Sequence, residues 1–346
     1  MKKVLVTGGC GFFGRHLVKA LIRAGYKVNI LDKEEAGEPV FDGSAGFMKG
    51  DIRDNKAAKE ACSGLDYVIH NAAILPISRV NRGIFREVNV EGTRNILKAS
   101  LESGVKKVIF ISSSAPYGIP KEIPINENTQ FNPVCDYGRS KVEAENICNE
   151  YRKKGLNIII LRPRTIVGES RLGIFQILYS WIADNKNIYI IGSGKNPYAF
   201  LGIKDFIDAC ILSIEKDLEN EDFNLGADKF GSVKEALEEL INYSGSSSRI
   251  ISLPARPAKL ILGALDKLNL VPFTPWHYLT CDQPFYFDIS KAKNMLGWSP
   301  QVGNFEMLKE DYGWYISLRK RVDFEFGTTH TKSVKQKFLK FLKKIS

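Results

Sequence analysis

The stretch VTGGCGFFG at residues 6–14 decides the fold, because it joins an apolar run to a helical pattern. KVLVT, before the glycines, is typical of a buried strand, and the amphipathic stretch after them ends near Gly25. Gly8, Gly11 and Gly14 leave the backbone open to a diphosphate, which a helix N-terminus attracts through its free N–H groups and its dipole. A strand, a glycine turn and a helix in this order predict a dinucleotide-binding unit.

Short apolar runs alternate with helical stretches through the first half of the chain. KVNILD, LDYVIHNAA, VKKVIFISSS and LNIIILRP are the further predicted strands, and most of their side chains are apolar on both faces. This pattern is typical of parallel strands covered by helices on both sides. The sequence therefore predicts an α/β protein with a Rossmann-type doubly wound parallel sheet and a smaller, interleaved C-terminal substrate-binding region.

The pattern divides the chain into three regions. Residues 1–168 are the predicted nucleotide-binding domain, residues 169–327 are mainly the substrate-binding region, with some elements returning to the core, and residues 328–346 are a basic amphipathic tail. The apolar segment 254–280, interrupted by prolines, could line a substrate cleft or cap the core. No apolar run reaches the ~20 residues of a membrane span.

Charge and cysteine content exclude several classes of protein. The net charge is +10, but residues 329–346 hold six lysines and no acidic residue, which leaves +4 for the rest. Nucleic-acid binding is therefore not indicated for the main body. The six cysteines form neither a CxxC pair nor a cluster with the four histidines, so we expect a reduced cytoplasmic protein with no metal site.

The tail has apolar residues at helical spacing and lysines on the opposite face. The apolar positions are Val334, Phe338, Phe341, Leu342 and Ile345. One interpretation is a helix at 332–346 that contacts anionic lipid at the inner face of the membrane. The other is a terminal helix that frays or packs on a partner chain.

Acidic residues follow the second and third predicted strands. Asp32 lies 18 residues after Gly14, where a carboxylate accepts the ribose hydroxyls of NAD and repels the 2′-phosphate of NADP. Lys33 beside it weakens that preference. The motif GDIRD places Asp51 and Ile52 where an adenine ring can rest.

The segment PVCDYGRSKVEAE at residues 133–145 sets Tyr137 and Lys141 one helical turn apart. A free tyrosine titrates near ~10, and a neighbouring ammonium favours its phenolate form. The same spacing also fits an ordinary surface pair. A proton-transfer pair is favoured because the glycine turn, Asp32 and a serine-rich strand accompany it.

These motifs occur in one order that resembles the extended short-chain dehydrogenase/reductase family. They are TGGxGFxG, the Asp after the second strand, NAA, VNVEGT, SSSAPYG and YxxxK within residues 2–168, with DISKAKNMLGWSP at 288–300. That family includes nucleotide-sugar epimerases and dehydratases. The resemblance implies an enzyme that uses NAD and forms a homodimer through the helices around Asn89 and Tyr137.

The resemblance also implies roles for individual residues. Tyr137 exchanges a proton with a secondary alcohol, Lys141 favours the phenolate and holds the nicotinamide ribose, and Asn89 positions the lysine. Ser113 hydrogen-bonds the reacting oxygen, with Ser114 as the alternative. The residues predicted to bind the cofactor are Gly8, Gly11, Phe12, Phe13, Gly14, Asp32, Lys33, Asp51, Ile52, Ala72, Ala73, Tyr137, Lys141 and Pro163.

The substrate motifs depart from the pattern of the epimerases. Thr165 stands near the usual Asn, and Tyr198 stands where those enzymes carry an Arg that holds diphosphate. Arg164, Arg171, Lys195 and Arg256 could substitute for that charge. The predicted substrate residues are Ser114, Thr165, Arg171, Tyr198 and Arg256.

Three functions remain open at this point. The leading hypothesis is an NAD-dependent epimerase that oxidises a ring hydroxyl transiently, on a sugar linked to a nucleotide or to polyprenyl diphosphate. The stretch RPRTIVGESRLGIFQILYSWI resembles the polyprenyl-linked branch. The second is a dehydrogenase of a 3β-hydroxysteroid or isoprenoid-like alcohol, and the third is a non-catalytic NAD-sensing scaffold. The partner in the first two cases is a small molecule.

Overall fold

The computed structural model describes residues 1–35, 43–78, 80–171, 173–319 and residue 343. The predicted tail at 328–346 therefore lies outside the described residues, apart from Lys343.

The strands follow the predicted alternation and add short pairs in the second half. They are β1 (Lys3–Thr7), β2 (Lys27–Asp32), β3 (Ala45–Lys49), β4 (Tyr67–His70), β5 (Lys107–Ile111), β6 (Ile158–Pro163), β7 (Ile166–Val167), β8 (Ile188–Ile191), β9 (Leu201–Gly202), β10 (Asp222–Leu225) and β11 (Ile250–Leu253). Within the described residues, the main sheet has seven parallel strands in the order β3-β2-β1-β4-β5-β6-β10. This doubly wound order confirms the predicted fold class.

Helices cover both faces of the sheet. They are α1 (Phe12–Arg23), α2 (Asn55–Cys62), α3 (Arg82–Arg86), α4 (Gly92–Glu102), α5 (Asp136–Arg152), α6 (Ile174–Ala183), α7 (Ile203–Glu215), α8 (Val233–Ser244), α9 (Ala255–Lys267), α10 (Pro275–Thr280) and α11 (Asn304–Arg319). On one face Val6 packs in the same core as Leu17 of α1 and Phe206 of α7. Its neighbour Leu5 points to the other face, into the core that contains Ile147 of α5.

The second half of the chain forms its own core and also returns to the sheet. Helices α6, α8 and α11 pack around Tyr179, Leu240 and Tyr312. Strand β10 nevertheless pairs with β6 at the edge of the main sheet, with Asp222 opposite Ile160. The two regions are thus interleaved, and the cleft lies between them. The apolar segment 254–280 contains α9 and α10.

Strand β4 ends earlier than the run LDYVIHNAA predicts. Its last residue is His70, and Asn71 and Ala72 leave the sheet. The hydroxyl oxygen of Thr7 accepts the backbone N–H groups of both, each at 3.1 Å. This side chain takes the place of a neighbouring strand, because buried N–H groups must be paired. The residues after β4 are thereby released to line the cleft.

Among the residues that the structure describes, no helix is both long enough and apolar enough to cross a lipid bilayer.

Candidate active site

The glycine turn after β1 brings two backbone segments into close contact. Gly8 has φ +69, and a Cβ there would lie 2.8 Å from the Cα of Ala72. A Cβ on Gly14 would lie 2.2 Å from the carbonyl oxygen of Gly8. Gly8 and Gly11 line the cleft, whereas Gly14 is absent from its wall. Their backbone is therefore open to a diphosphate at the start of α1, and Gly14 serves the close packing beneath it.

Asp32, at the end of β2, is held at the edge of the same cleft. Its Oδ2 accepts the N–H of Cys10 at 2.9 Å, and its Oδ1 accepts the N–H of Glu34 at 3.1 Å. These bonds fix a carboxylate beside the glycine turn, which suits recognition of a ribose. Asp51 differs, because Arg53 pairs with its carboxylate at 2.7 Å and lowers its pKa by hydrogen bonding.

Helix α5 positions the predicted proton-transfer pair. The helix begins at Asp136, after Cys135, whose Sγ accepts the N–H of Gly138. Tyr137 and Lys141 are both buried and face the cleft. The amino group of Lys141 donates to the carbonyl oxygen of Ile111, the last residue of β5, at 2.8 Å. The helix is therefore fixed against the carboxyl end of the central strands.

The three serines after β5 have different partners. Ser112 donates to Glu145, and Ser114 accepts from the guanidinium of Arg164 at 3.0 Å. The hydroxyl oxygen of Ser113 accepts the N–H of Ala115 at 3.1 Å, and Ser113 lies close enough to the phenol of Tyr137 to lower its pKa. The sequence left Ser113 and Ser114 as alternatives for the catalytic hydroxyl. The contact with Tyr137 favours Ser113.

Burial dominates the ionisation of the pair. It raises the pKa of Tyr137 to about 12, while the hydrogen bond from Ser113 and the charge of Arg171 act in the opposite direction. Burial also lowers the pKa of Lys141 to about 8. That Lys141 favours the phenolate stays a prediction. Arg171, from the loop before α6, is a further cation whose charge lowers the pKa of Tyr137.

Arg171 links the site to the C-terminal region. Its guanidinium carbon lies 5.1 Å from the ring centroid of Phe12 in the glycine turn. Burial lowers its pKa to about 10, against the charge of Asp311. Asp311 lies on α11, is itself fully buried, and accepts the hydroxyl of Tyr179 at 3.0 Å. Burial raises the pKa of Asp311 to about 8.

Asn89 lies behind the site, on a short π-helical segment. Its side-chain amide exchanges two hydrogen bonds with the backbone of Ile74, at 2.8 and 3.1 Å. It also donates to the hydroxyl of Ser140, the residue before Lys141, at 3.0 Å. Asn89 thus ties the loop after β4 to α5. Any effect on Lys141 passes through the helix backbone, not through a direct contact.

One cleft of about 1430 Å³ collects most of the predicted residues. Those that line it are Gly8, Gly11, Phe12, Phe13, Asp32, Lys33, Asp51, Ile52, Ala72, Ala73, Ser113, Ser114, Tyr137, Lys141, Pro163, Thr165, Arg171 and Tyr198. Gly14 and Asn89 lie behind its wall, and Arg256 is exposed outside it. Arg164 also lines the cleft, although it was only one of four possible substitutes for a missing arginine.

The burial of Lys141 predicts how stability depends on pH. Its pKa is about 8 in the folded chain and 10.5 ordinarily. Between these values only the unfolded chain holds the proton, so the contribution of Lys141 to the free energy of unfolding rises with pH and is lowest below about pH 8. We expect wild type to gain stability relative to Lys141→Met between about pH 8 and pH 10 in urea unfolding. The same pH dependence in both proteins would contradict the burial of this amine.

The sheet, the glycine turn, Asp32 and the buried tyrosine–lysine pair together define an NAD-binding enzyme fold. A family model confirms this class: the NAD dependent epimerase/dehydratase family matches residues 4–226. The chain belongs to this family, within the extended short-chain dehydrogenases/reductases, and NAD is its cofactor. Both the predicted family and the predicted cofactor are confirmed.

Three known proteins illustrate the similarity. The chain is 38% identical over 346 residues to the uncharacterized protein y4nG of Sinorhizobium fredii, covering 99% of this chain and 86% of that one. It is 35% identical over 216 residues to an N-acetyl-α-D-glucosaminyl-diphospho-ditrans,octacis-undecaprenol 4-epimerase of Escherichia coli O157:H7. The match covers 59% of this chain and 61% of that protein. A UDP-glucose 4-epimerase of Thermotoga maritima, solved with UDP-glucose, superposes with a TM-score of 0.77 at 26% identity, covering 92% and 99%.

Proposed function

We propose that this chain is a sugar epimerase that inverts one ring carbon by transient oxidation of its hydroxyl, on a sugar carried by a diphosphate. The observation that carries the proposal is that Ser113 lies beside the buried Tyr137 and Lys141 in the wall of one cleft, where Ser113 lowers the pKa of the phenol. A scaffold that only senses NAD has no need of a buried acid/base pair. The relatives that act on UDP-glucose and on a diphospho-undecaprenol sugar support the substrate class.

Each residue has a chemical task in this proposal. The glycine turn and Asp32 would hold NAD, which would supply a reversible hydride acceptor for the ring carbon. Tyr137, as the phenolate, takes the hydroxyl proton during oxidation and gives it back during reduction. Ser113 hydrogen-bonds the same oxygen and fixes its distance from Tyr137. The sugar presents its other face between the two steps, so that the configuration at the carbon is inverted.

Polyprenyl diphosphate is a second candidate carrier, because one wall of the cleft is apolar. Helices α9 and α10 supply Leu262, Leu265 and Trp276 to this wall. The apolar surface continues outside the cleft, where Leu260 on α9 is 77% exposed and Leu268, just after the helix, is 67% exposed. Such exposed leucines beside a cleft suit a lipid chain.

Contact of the segment 332–346 with a membrane stays a prediction, as does the homodimer. The described part of that segment is Lys343, whose amino group pairs with Asp184 and contacts the hydroxyl of Ser180.

A panel of substrates tests the proposal and separates the carriers. Purified protein with NAD would be given UDP-glucose, UDP-N-acetylglucosamine, UDP-glucuronic acid and an undecaprenyl-diphosphate sugar in detergent, with NMR of the sugar and absorbance of NADH followed together. We expect one epimer and no accumulation of NADH. Steady NADH formation would favour the dehydrogenase. No reaction with any sugar, by protein that binds NAD, would reject the proposal.

A further inference from the structure

Arg164 is a buried cation with an incomplete set of partners. The residue is 1% exposed. Its Nε donates to the carbonyl oxygen of Ala199 and its Nη1 to the hydroxyl of Ser114, each at 3.0 Å. Its Nη2 has no hydrogen-bond partner. Within the described parts of the chain, no carboxylate forms an ion pair with it, which is costly for a buried charge.

The neighbouring Arg162 shows that the chain pairs a buried guanidinium when the role is structural. Arg162 donates to both carboxylate oxygens of Glu145, with Nη2 to Oε2 at 2.7 Å, and also to Asp222 at 2.8 Å. Arg164, two residues further along the chain, contacts aromatic rings where Arg162 contacts carboxylates. Its guanidinium carbon lies 3.9 Å from the ring centroid of Phe285 and 4.5 Å from that of Tyr198. Burial lowers the pKa of Arg164, and the nearby Tyr198 side chain acts in the opposite direction. The rings orient the cation, but none of them supplies a carboxylate.

Arg164 lies beside the residues that are proposed to react with the sugar. Ser114, which accepts from Arg164, follows Ser113, the hydroxyl that contacts Tyr137. Arg164, both serines and Tyr198 all line the cleft. The unpaired charge therefore lies beside the sugar in the proposed reaction, and Tyr198 is the residue that stands where related epimerases carry an arginine.

We propose that Arg164 binds an oxyanion of the substrate, and so makes this cleft selective for an anionic group close to the reacting carbon. Two sources share this chemistry: a carboxylate on the sugar ring and a phosphate oxygen of the carrier. A planar guanidinium with a free N–H edge suits either one. The inference rests on the proposed function, because it takes the sugar to lie at Tyr137.

Binding of a matched pair of ligands tests the inference without turnover. UDP-glucuronic acid and UDP-glucose differ at one carbon, which is a carboxylate in the first and a hydroxymethyl group in the second. Their affinities for NAD-loaded protein would be measured by calorimetry for wild type, Arg164→Met and Arg164→Lys. Arg249→Met removes an exposed guanidinium outside the cleft and is the control. Because Arg164 has no ion-pair partner to strand, we expect Arg164→Met to fold, which NAD binding and thermal unfolding would verify.

Because the substrate would lose a buried charged partner, we expect binding to weaken by at least about 30-fold in Arg164→Met. We expect partial recovery in Arg164→Lys and no change in Arg249→Met. A loss confined to UDP-glucuronic acid identifies a sugar carboxylate, and an equal loss for both ligands identifies a phosphate. Unchanged affinity in Arg164→Met, or no affinity of wild type for either ligand, would overturn the inference. Wild type that binds the ligands but epimerises neither would reject the proposed function, and the variants would still decide the role of Arg164.

Discussion

Tyr137→Phe should lower kcat by about 1,000-fold or more, because general acid–base catalysis contributes about 10²- to 10⁴-fold. The variant removes the phenol beside Ser113, which is the group proposed to exchange a proton with the sugar hydroxyl. The phenyl ring keeps the packing against Phe85, whose ring centroid lies 6.3 Å away. The fold and the affinity for NAD should therefore remain close to those of wild type. Single-turnover kinetics with the best sugar of the panel measures the effect.

Tyr243→Phe is the matched control for this variant. Tyr243 is 50% exposed, lies on α8 outside the cleft, and loses the same hydroxyl group. We expect its activity to equal that of wild type. If Tyr137→Phe kept more than about a tenth of the wild-type rate while binding NAD, Tyr137 would not be the acid/base.

Glu145→Ala should lower the free energy of unfolding by about 3–5 kcal/mol, the usual cost of removing one partner from a buried ion pair. The side chains of Arg162 and Glu145 are 4% and 3% exposed. Glu145 also accepts the hydroxyl of Ser112. Its removal would leave Arg162 with Asp222 as its remaining carboxylate, 2.8 Å away. Urea unfolding followed by circular dichroism measures the change.

Glu143→Ala is the control for the stability effect. Glu143 lies on the same helix, but its side chain is 35% exposed and pairs with Arg86 at the surface. Exposed pairs contribute less than about 1 kcal/mol, so this variant should unfold near the wild-type urea concentration. Equal losses in the two variants would contradict a special role for the buried network.

The predicted residues that the structure brings together in the cleft were found from short-range patterns. The glycine turn, Asp32 and the pair Tyr137 and Lys141 each lie within one element or at one strand end, so spacing alone places them. The fold class could be predicted for the same reason, because parallel strands that are apolar on both faces must be covered by helices.

The surroundings of Arg164 and Arg171 could not be predicted from the sequence, because they depend on contacts between distant segments. Arg164 meets Ser114, Tyr198 and Phe285 only after the second half of the chain folds against the first. No local pattern distinguishes Arg164 from Arg162, although Arg162 is bound to two carboxylates and Arg164 to none among the described residues. The effect of Arg171 on Tyr137 is also a product of tertiary packing.

One NMR experiment in D₂O tests the central claim that the hydride leaves and returns to the same sugar carbon. The protein, NAD and the most reactive sugar of the panel would be incubated together, and NADH absorbance would be read on the same sample. The account predicts that an epimer forms with hydrogen, not deuterium, at the inverted carbon and without accumulation of NADH. Deuterium at that carbon, or NADH formed in step with an oxidised sugar, would contradict it.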